Sequence, residues 1–177
     1  VLTICTADGS TSQEIRPEAL LPINLFAGDF STDGQHIVAA GQIAGTSESK
    51  AWVIKVPAIG SVREIEIEND PDRDSDDQTP DPASLITCTF SGHEAGGISS
   101  VGFIPDSPYL VSGGNDGALV LWNWRQPLPG TRPMAYEAFR FMTAGETTAH
   151  KAPITAIDVA HSGRIASSGA DGKVSLW

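Results

Sequence analysis

The stretch Ile98-Ser-Ser-Val-Gly-Phe-Ile-Pro-Asp-Ser-Pro-Tyr-Leu-Val-Ser-Gly-Gly-Asn-Asp-Gly-Ala-Leu-Val-Leu-Trp122 decides the fold, because the chain carries it twice. The second copy reads Ile154-Thr-Ala-Ile-Asp-Val-Ala-His-Ser-Gly-Arg-Ile-Ala-Ser-Ser-Gly-Ala-Asp-Gly-Lys-Val-Ser-Leu-Trp177. Ser112 and Asp116 are four residues apart, as are Ser167 and Asp171, and each Asp precedes its Trp by six. Only the turn between the first two strands differs in length. Upstream, Thr89-Phe-Ser-Gly-His93 matches Thr147-Thr-Ala-His150. A third, degenerate copy runs from Leu25 to Gly41 and closes on Ala51-Trp52-Val53-Ile54. It lacks the upstream His and the Asp-Gly turn.

Each copy is short apolar strands divided by turn chemistry, the pattern of an all-β repeat. Ile98–Ile104, Tyr109–Ser112 and Ala118–Trp122 read as successive strands. Pro105-Asp-Ser-Pro108 and Asn115-Asp116-Gly117 suit chain reversal between them. A fourth strand is expected ahead of each His, over Ser84–Phe90 and Ala135–Met142. Four antiparallel strands repeated in tandem describe propeller blades, here in units of about 20–68, 84–124 and 135–177. Three blades do not close a ring of the usual four to eight. The arc is therefore expected to be part of a larger propeller, with its remaining blades supplied by the same chain or another.

The 177 residues carry a formal charge of −11, with 40% hydrophobic and 19% charged residues. That composition can fill a core. No apolar run is long enough to span a bilayer, and the first residues lack the basic and apolar regions of a signal peptide. The acidic balance repels phosphate backbones and anionic lipid, so neither nucleic acid nor membrane is an expected partner. Most of the charge is local: Arg63 to Asp81 holds nine acids and two arginines. Its first part, Glu64-Ile-Glu-Ile-Glu68, alternates as an edge strand would. Residues 69–83 contain three prolines and almost nothing apolar, and read as a disordered acidic insert acting as a linker. Cys5 and Cys88 are too few for a disulfide scaffold or a cysteine zinc site, which points to a reducing, intracellular compartment, cytoplasmic or nuclear.

Gly92-His93 with Trp122-Asn123, and Ala149-His150 with Trp177, resemble the Gly-His and Trp-Asp signature of the WD-repeat (β-transducin-like) β-propellers. The resemblance implies a partial all-β propeller and a polar chain inside each blade, here His93, Ser112, Asp116, Trp122 and His150, Ser167, Asp171, Trp177. The same residue types could form a hydrolytic Ser-His-Asp set. Two copies at matched repeat positions favour architecture, since catalysis needs one site. His36 and His161 fall at turn positions and are expected at the surface. No nucleotide loop, metal-ligand cluster or cofactor motif stands out, and none is expected.

The resemblance further implies a non-catalytic scaffold that binds other proteins, subunits of a larger complex, through the loops around the His and before the third strand. The matching positions are Glu94 and Asn115 in one blade, and Lys151 and Ala170 in the next. Trp122-Asn123-Trp124-Arg125 is also similar to the Trp-Asp-x-Arg box by which WD-repeat substrate receptors dock on cullin-RING ubiquitin ligases. On that alternative, Asn123 and Arg125 would contact the partner.

Overall fold

The computed structural model describes residues 2–5, 12–15, 23–56, 85–94, 96–128 and 133–177. Among them there are thirteen β-strands and no α-helix. Strands β1 (Leu2–Cys5) and β2 (Ser12–Ile15) form an antiparallel hairpin. A first meander follows, of β3 (Ile23–Phe30), β4 (His36–Ile43), β5 (Ser49–Lys55) and β6 (Ile86–Phe90). A second comprises β7 (Ile98–Phe103), β8 (Tyr109–Gly114), β9 (Leu119–Leu128) and β10 (Met134–Phe141). The third holds β11 (Ile154–Val159), β12 (Ile165–Gly169) and β13 (Val174–Leu176). The two four-stranded sheets touch at their outer strands through one parallel bridge, Met134 opposite Thr89.

The repeat unit in the sequence and the sheet in space are offset by one strand. Residues 86–90 lie upstream of His93 in the second unit, yet pair with β5 and complete the first sheet. Likewise β10 precedes the third unit's His150 and completes the second sheet. Each unit thus closes its predecessor's sheet. The third strand of the second blade also runs past Trp122 to Leu128, because Trp124 is buried and donates its main-chain N–H to Pro108. The acidic 64–68 strand and the 69–83 insert fall outside the described residues.

Sheet packs on sheet through the inner strands. Ile98, Val101 and Phe103 of β7 press on Val38, Ala40, Ala51 and Val53 of the first blade. One step on, Ile154, Ile157 and Val159 of β11 cover Val111 and Leu119 of the second. Both triplets follow the spacing i, i+3, i+5, which a regular strand would split between its two faces. A bulge after the first residue, between Ile98 and Ser100 and again between Ile154 and Ala156, brings all three to one side. Each fully buried Val, Leu or Ile side chain contributes about 1.5–3 kcal/mol, so these junctions dominate stability.

Polar ties fix the junctions laterally. Asp29 of β3 accepts the Phe103 N–H of β7 at 2.8 Å. Ser99 Oγ lies 2.6 Å from the Ile154 carbonyl and 3.0 Å from that of Gly113, and Ser100 Oγ accepts the Ile157 N–H at 3.1 Å.

Gly113 makes the second junction close: a Cβ there would stand 2.6 Å from the Ile154 side chain and 2.8 Å from that of Ile157. Ser168 occupies the same repeat position in the third blade and faces no neighbouring sheet among the described residues. Gly113→Val is therefore expected to destabilise by about 1–3 kcal/mol through overpacking. Ser168→Val should stay within about 0.5 kcal/mol. Parallel urea melts of the two variants check this; equal losses would refute the assignment of the junction.

Candidate functional site

Two buried hydrogen-bond chains stand at equivalent places in the second and third blades. In the second, His93 Nδ1 lies 3.0 Å from Asp116 Oδ1 and Nε2 lies 2.7 Å from Ser112 Oγ. Trp122 Nε1 donates to the same hydroxyl oxygen at 2.8 Å. The protonation pattern that satisfies every atom has Nδ1–H donating to the carboxylate and Ser O–H donating to Nε2. In the third, the corresponding distances are 3.1 Å for His150 to Asp171, 2.8 Å for His150 to Ser167 and 2.9 Å for Trp177 to Ser167. The carboxylates also gather main-chain amides: Asp116 accepts from Glu94 and Ala118, and Asp171 from Lys151 and Lys173. Burial pushes the Asp116 carboxyl up, but hydrogen bonding to His93 and the two amides outweigh it and hold it below the ordinary value; Asp171 behaves alike.

Gly114 and Gly169 make room for the imidazoles, a requirement the sequence reading missed. A Cβ on Gly169 would stand 2.5 Å from His150 Nδ1, and one on Gly114 would collide with His93 and Asp116. The signal was available, because both glycines lie two residues after the repeat Ser. The first blade has no such chain among the described residues. By strand register Ala39 stands where Ser112 and Ser167 stand, and the buried Trp52 Nε1 has no hydrogen-bond partner. An apolar cluster of Ile37, Ala39, Trp52 and Ile54 fills that position instead.

The Ser–His–Asp distances are those of a hydrolytic triad, but the setting is not. Ser112 and Ser167 are buried, and each hydroxyl is held by both a His and a Trp. Among the described residues no group of three His, Cys, Asp or Glu could hold a metal ion. Cys88 is buried, with its thiol pushed up to about 12 by burial, which leaves it inert as a nucleophile.

Glu94, Asn115, Lys151 and Ala170 are exposed, in the loops on either side of these chains. Asn115 Nδ2 donates to the Gly96 carbonyl and its main-chain N–H to Gly97. Lys151 pairs with Glu146 at 2.7 Å. The His150 N–H donates to Gly117 at 3.1 Å, so the loops of the two blades meet along one rim.

The Trp122–Arg125 box behaves differently. Asn123 is only 4% exposed; its Nδ2 donates to the Tyr136 hydroxyl at 3.0 Å, and its Oδ1 accepts the Gln126 N–H at 3.1 Å. The expectation that Asn123 contacts a partner is therefore corrected: the amide joins β9 to β10. Arg125 lies over the Trp124 ring at 4.6 Å and 3.7 Å from Asp33, tying the β3–β4 turn to β9.

The surface placement of His36 is also corrected, whereas His161 is exposed. The His36 ring packs 4.8 Å from Trp124, and its Nδ1 is buried without a partner.

Bulged inner strands packed on the next antiparallel sheet define this structure as part of a β-propeller. A model of the family described as WD domain, G-beta repeat matches residues 84–123 and 143–177. Over 92 residues the chain is 36% identical to the ribosome biogenesis protein YTM1 of Vanderwaltozyma polyspora. That match takes in 50% of this chain and 20% of the relative, so the chain corresponds to about a fifth of that protein's length. Among solved structures, the crystal structure of RRP9 WD40 repeats superimposes with a TM-score of 0.63 at 15% identity, covering 98% of this chain and 40% of that one. WD repeats thus occupy residues 84–123 and 143–177 of the chain, on a fold that is part of a β-propeller.

Two outcomes follow from the site. His93→Ala removes one partner of a buried chain, and is expected to destabilise by about 1–3 kcal/mol in chemical denaturation. An undiminished variant would overturn the structural role. Burial holds His36 below its ordinary value of 6.5, against the pull of Asp33 and with help from Arg125 and Lys55. The unfolded chain then binds the extra proton, so the His36 contribution is present above pH 6.5 and is lost as pH falls below it. His36→Phe should flatten that part of the stability profile; an unchanged slope would contradict it.

Proposed function

We propose that the chain is a non-catalytic protein-interaction scaffold, which binds subunits of a larger assembly through the loop rim carrying Glu94, Asn115, Lys151 and Ala170. The observation that carries this reading is the pairing of an internal polar chain with an external loop set, twice. The reactive-looking residues are buried and hydrogen-bonded to one another, while the exposed ones are loop residues on a rigid support. An enzymatic use of the His, Ser and Asp residues has no accessible nucleophile behind it.

The finer reading draws on the ribosome biogenesis relative: the assembly is a ribosome precursor, and the compartment is intracellular, nuclear or cytoplasmic. Docking on a cullin-RING ligase draws less support. The buried Asn123 and the Asp33-paired Arg125 have architectural partners, and the relative carries a different role in its name.

Co-sedimentation with purified ribosome precursors tests the proposal. Glu94→Ala with Lys151→Ala is expected to reduce association at least tenfold while leaving the circular dichroism spectrum and melting point intact. Arg125→Ala should leave association unchanged. Retained binding in the Glu94/Lys151 double variant, or no binding by the unaltered chain, would count against it.

A further inference from the structure

Arg125 carries a guanidinium that is held in place without being hydrogen-bonded. It lies 4.6 Å over the ring of Trp124, which is itself buried, and so rests on a fixed aromatic floor. Its one ion-pair partner among the described residues is Asp33, with Nη2 3.7 Å from Oδ2, beyond hydrogen-bond length. Asp33 is served elsewhere: its Oδ1 accepts the Ser31 hydroxyl at 2.6 Å and the Gln35 N–H at 3.0 Å. The Arg125 side chain is half exposed, and its N–H groups meet no acceptor among the described residues.

Two further nitrogen-bearing side chains stand beside it, across the seam between the first and second blades. The His36 ring packs 4.8 Å from the same Trp124 ring. Its Nδ1 is buried, which leaves Nε2 as the nitrogen able to meet an incoming group. Lys55 lies directly opposite His36 in the β4–β5 ladder, so both side chains leave the same face of the sheet. Lys55 is exposed and has no hydrogen bond or ion pair among the described residues. Arg125 and Lys55 both oppose a proton on His36 while Asp33 favours one, so the four groups share one local field. In a chain of formal charge −11, cations outnumber the carboxylate here.

We propose that Arg125, Lys55 and His36 form a binding site for a phosphomonoester dianion, carried by a phosphorylated serine or threonine of a partner protein. The guanidinium offers two parallel N–H donors to two phosphate oxygens, the ammonium a point charge, and the imidazole a further donor. A phosphorylated side chain carries a charge of about −1.5 to −2, which the two permanent cations match. A carboxylate carries half of that and leaves one cation uncompensated. A nucleic acid is a polyanion that the chain as a whole repels, whereas one compact dianion answers to the local sign. Asp33 is then a competitor for Arg125 rather than a member of the site. The inference is independent of the loop rim and its proposed partners.

Titration with inorganic phosphate and with a capped Ala-Ala-phosphoserine-Ala-Ala peptide tests this, at about pH 7.5 where the phosphate is dianionic, and at constant ionic strength. The Arg125 Nε–H and Trp124 indole resonances are expected to shift and saturate in the millimolar range. Acetate and the unphosphorylated peptide should bind at least about tenfold more weakly. Arg125→Gln and the exposed Lys55→Gln should each lower affinity at least about fivefold, with circular dichroism unchanged. Asp33→Asn keeps an acceptor for Ser31 and Gln35, and is expected to raise affinity at least about threefold by freeing Arg125. A purely architectural Arg125–Asp33 pair gives the opposite result, a lower melting point with no gain in binding. Bound phosphate should also raise the pH at which His36 takes its proton, because the coupling is reciprocal. Tighter binding of the phosphoserine peptide than of free phosphate supports a phosphorylated side chain as the occupant; tighter binding of free phosphate overturns that assignment. Shifts that survive Arg125→Gln, acetate binding as tightly as phosphate, or a single-stranded RNA oligomer binding more tightly than the peptide would overturn the proposal.

Discussion

Everything in the second and third blades turns on a serine hydroxyl with two claims on it. Ser112 Oγ takes the indole N–H of Trp122 and faces the imidazole of His93; Ser167 does the same with Trp177 and His150. The hydroxyl sits on the second strand, the indole on or beside the third, and the imidazole in the loop before the first. One oxygen thus fixes the spacing of elements that the ladders alone would let slide. The Asp carries that order outward, because its carboxylate holds both the imidazole and the amides of the exposed loops. A buried polar chain of this kind is costly when incomplete and ordering when complete. The described residues of the first blade hold no such chain, and apolar side chains fill the equivalent space.

This arrangement also separates chemistry from geometry. The same Ser–His–Asp distances in an open cleft would suggest a nucleophile, its base and its orienting acid. Here the oxygen is buried and shared with an indole. Accessibility, rather than the order or spacing of the residues, decides what the constellation does.

The repeat, its polar residues and most strand positions could be read in the sequence, because a repeat states the same constraints twice. Matched spacing singled out Ser112 and Ser167, Asp116 and Asp171, and Trp122 and Trp177, and the family resemblance implied that they join in one chain. The bulges were harder to read. An i, i+3, i+5 triplet looks irregular to any test for alternation, and only the register shift between Ile98 and Ser100 explains it. Asn123 misled because its place in the Trp-Asp signature suggested a surface contact, while nothing in the sequence marked Tyr136, thirteen residues on and opposite it in the neighbouring strand, as its partner. His36 misled for a similar reason: its neighbour Trp124 belongs to another blade, and packing between blades leaves no mark on the local pattern. Gly114 and Gly169 could have been singled out as a shared repeat position, had their lack of a side chain been counted as a requirement of the imidazole.

The offset between sequence unit and sheet determines where the polypeptide can be interrupted. Strands β5 and β6 are neighbours in one sheet, yet Lys55 and Ile86 are separated by the stretch that contains the acidic insert. A cut in that stretch severs the covalent path but leaves Ala51 to Ile54 paired with Ile86 to Phe90, and Phe90 still against the Trp122 ring. The two pieces are held by a ladder and a core rather than by a hinge. Topologically, the protein is there already two interlocking parts, and that connection is the natural seam for a split, self-complementing version of the molecule.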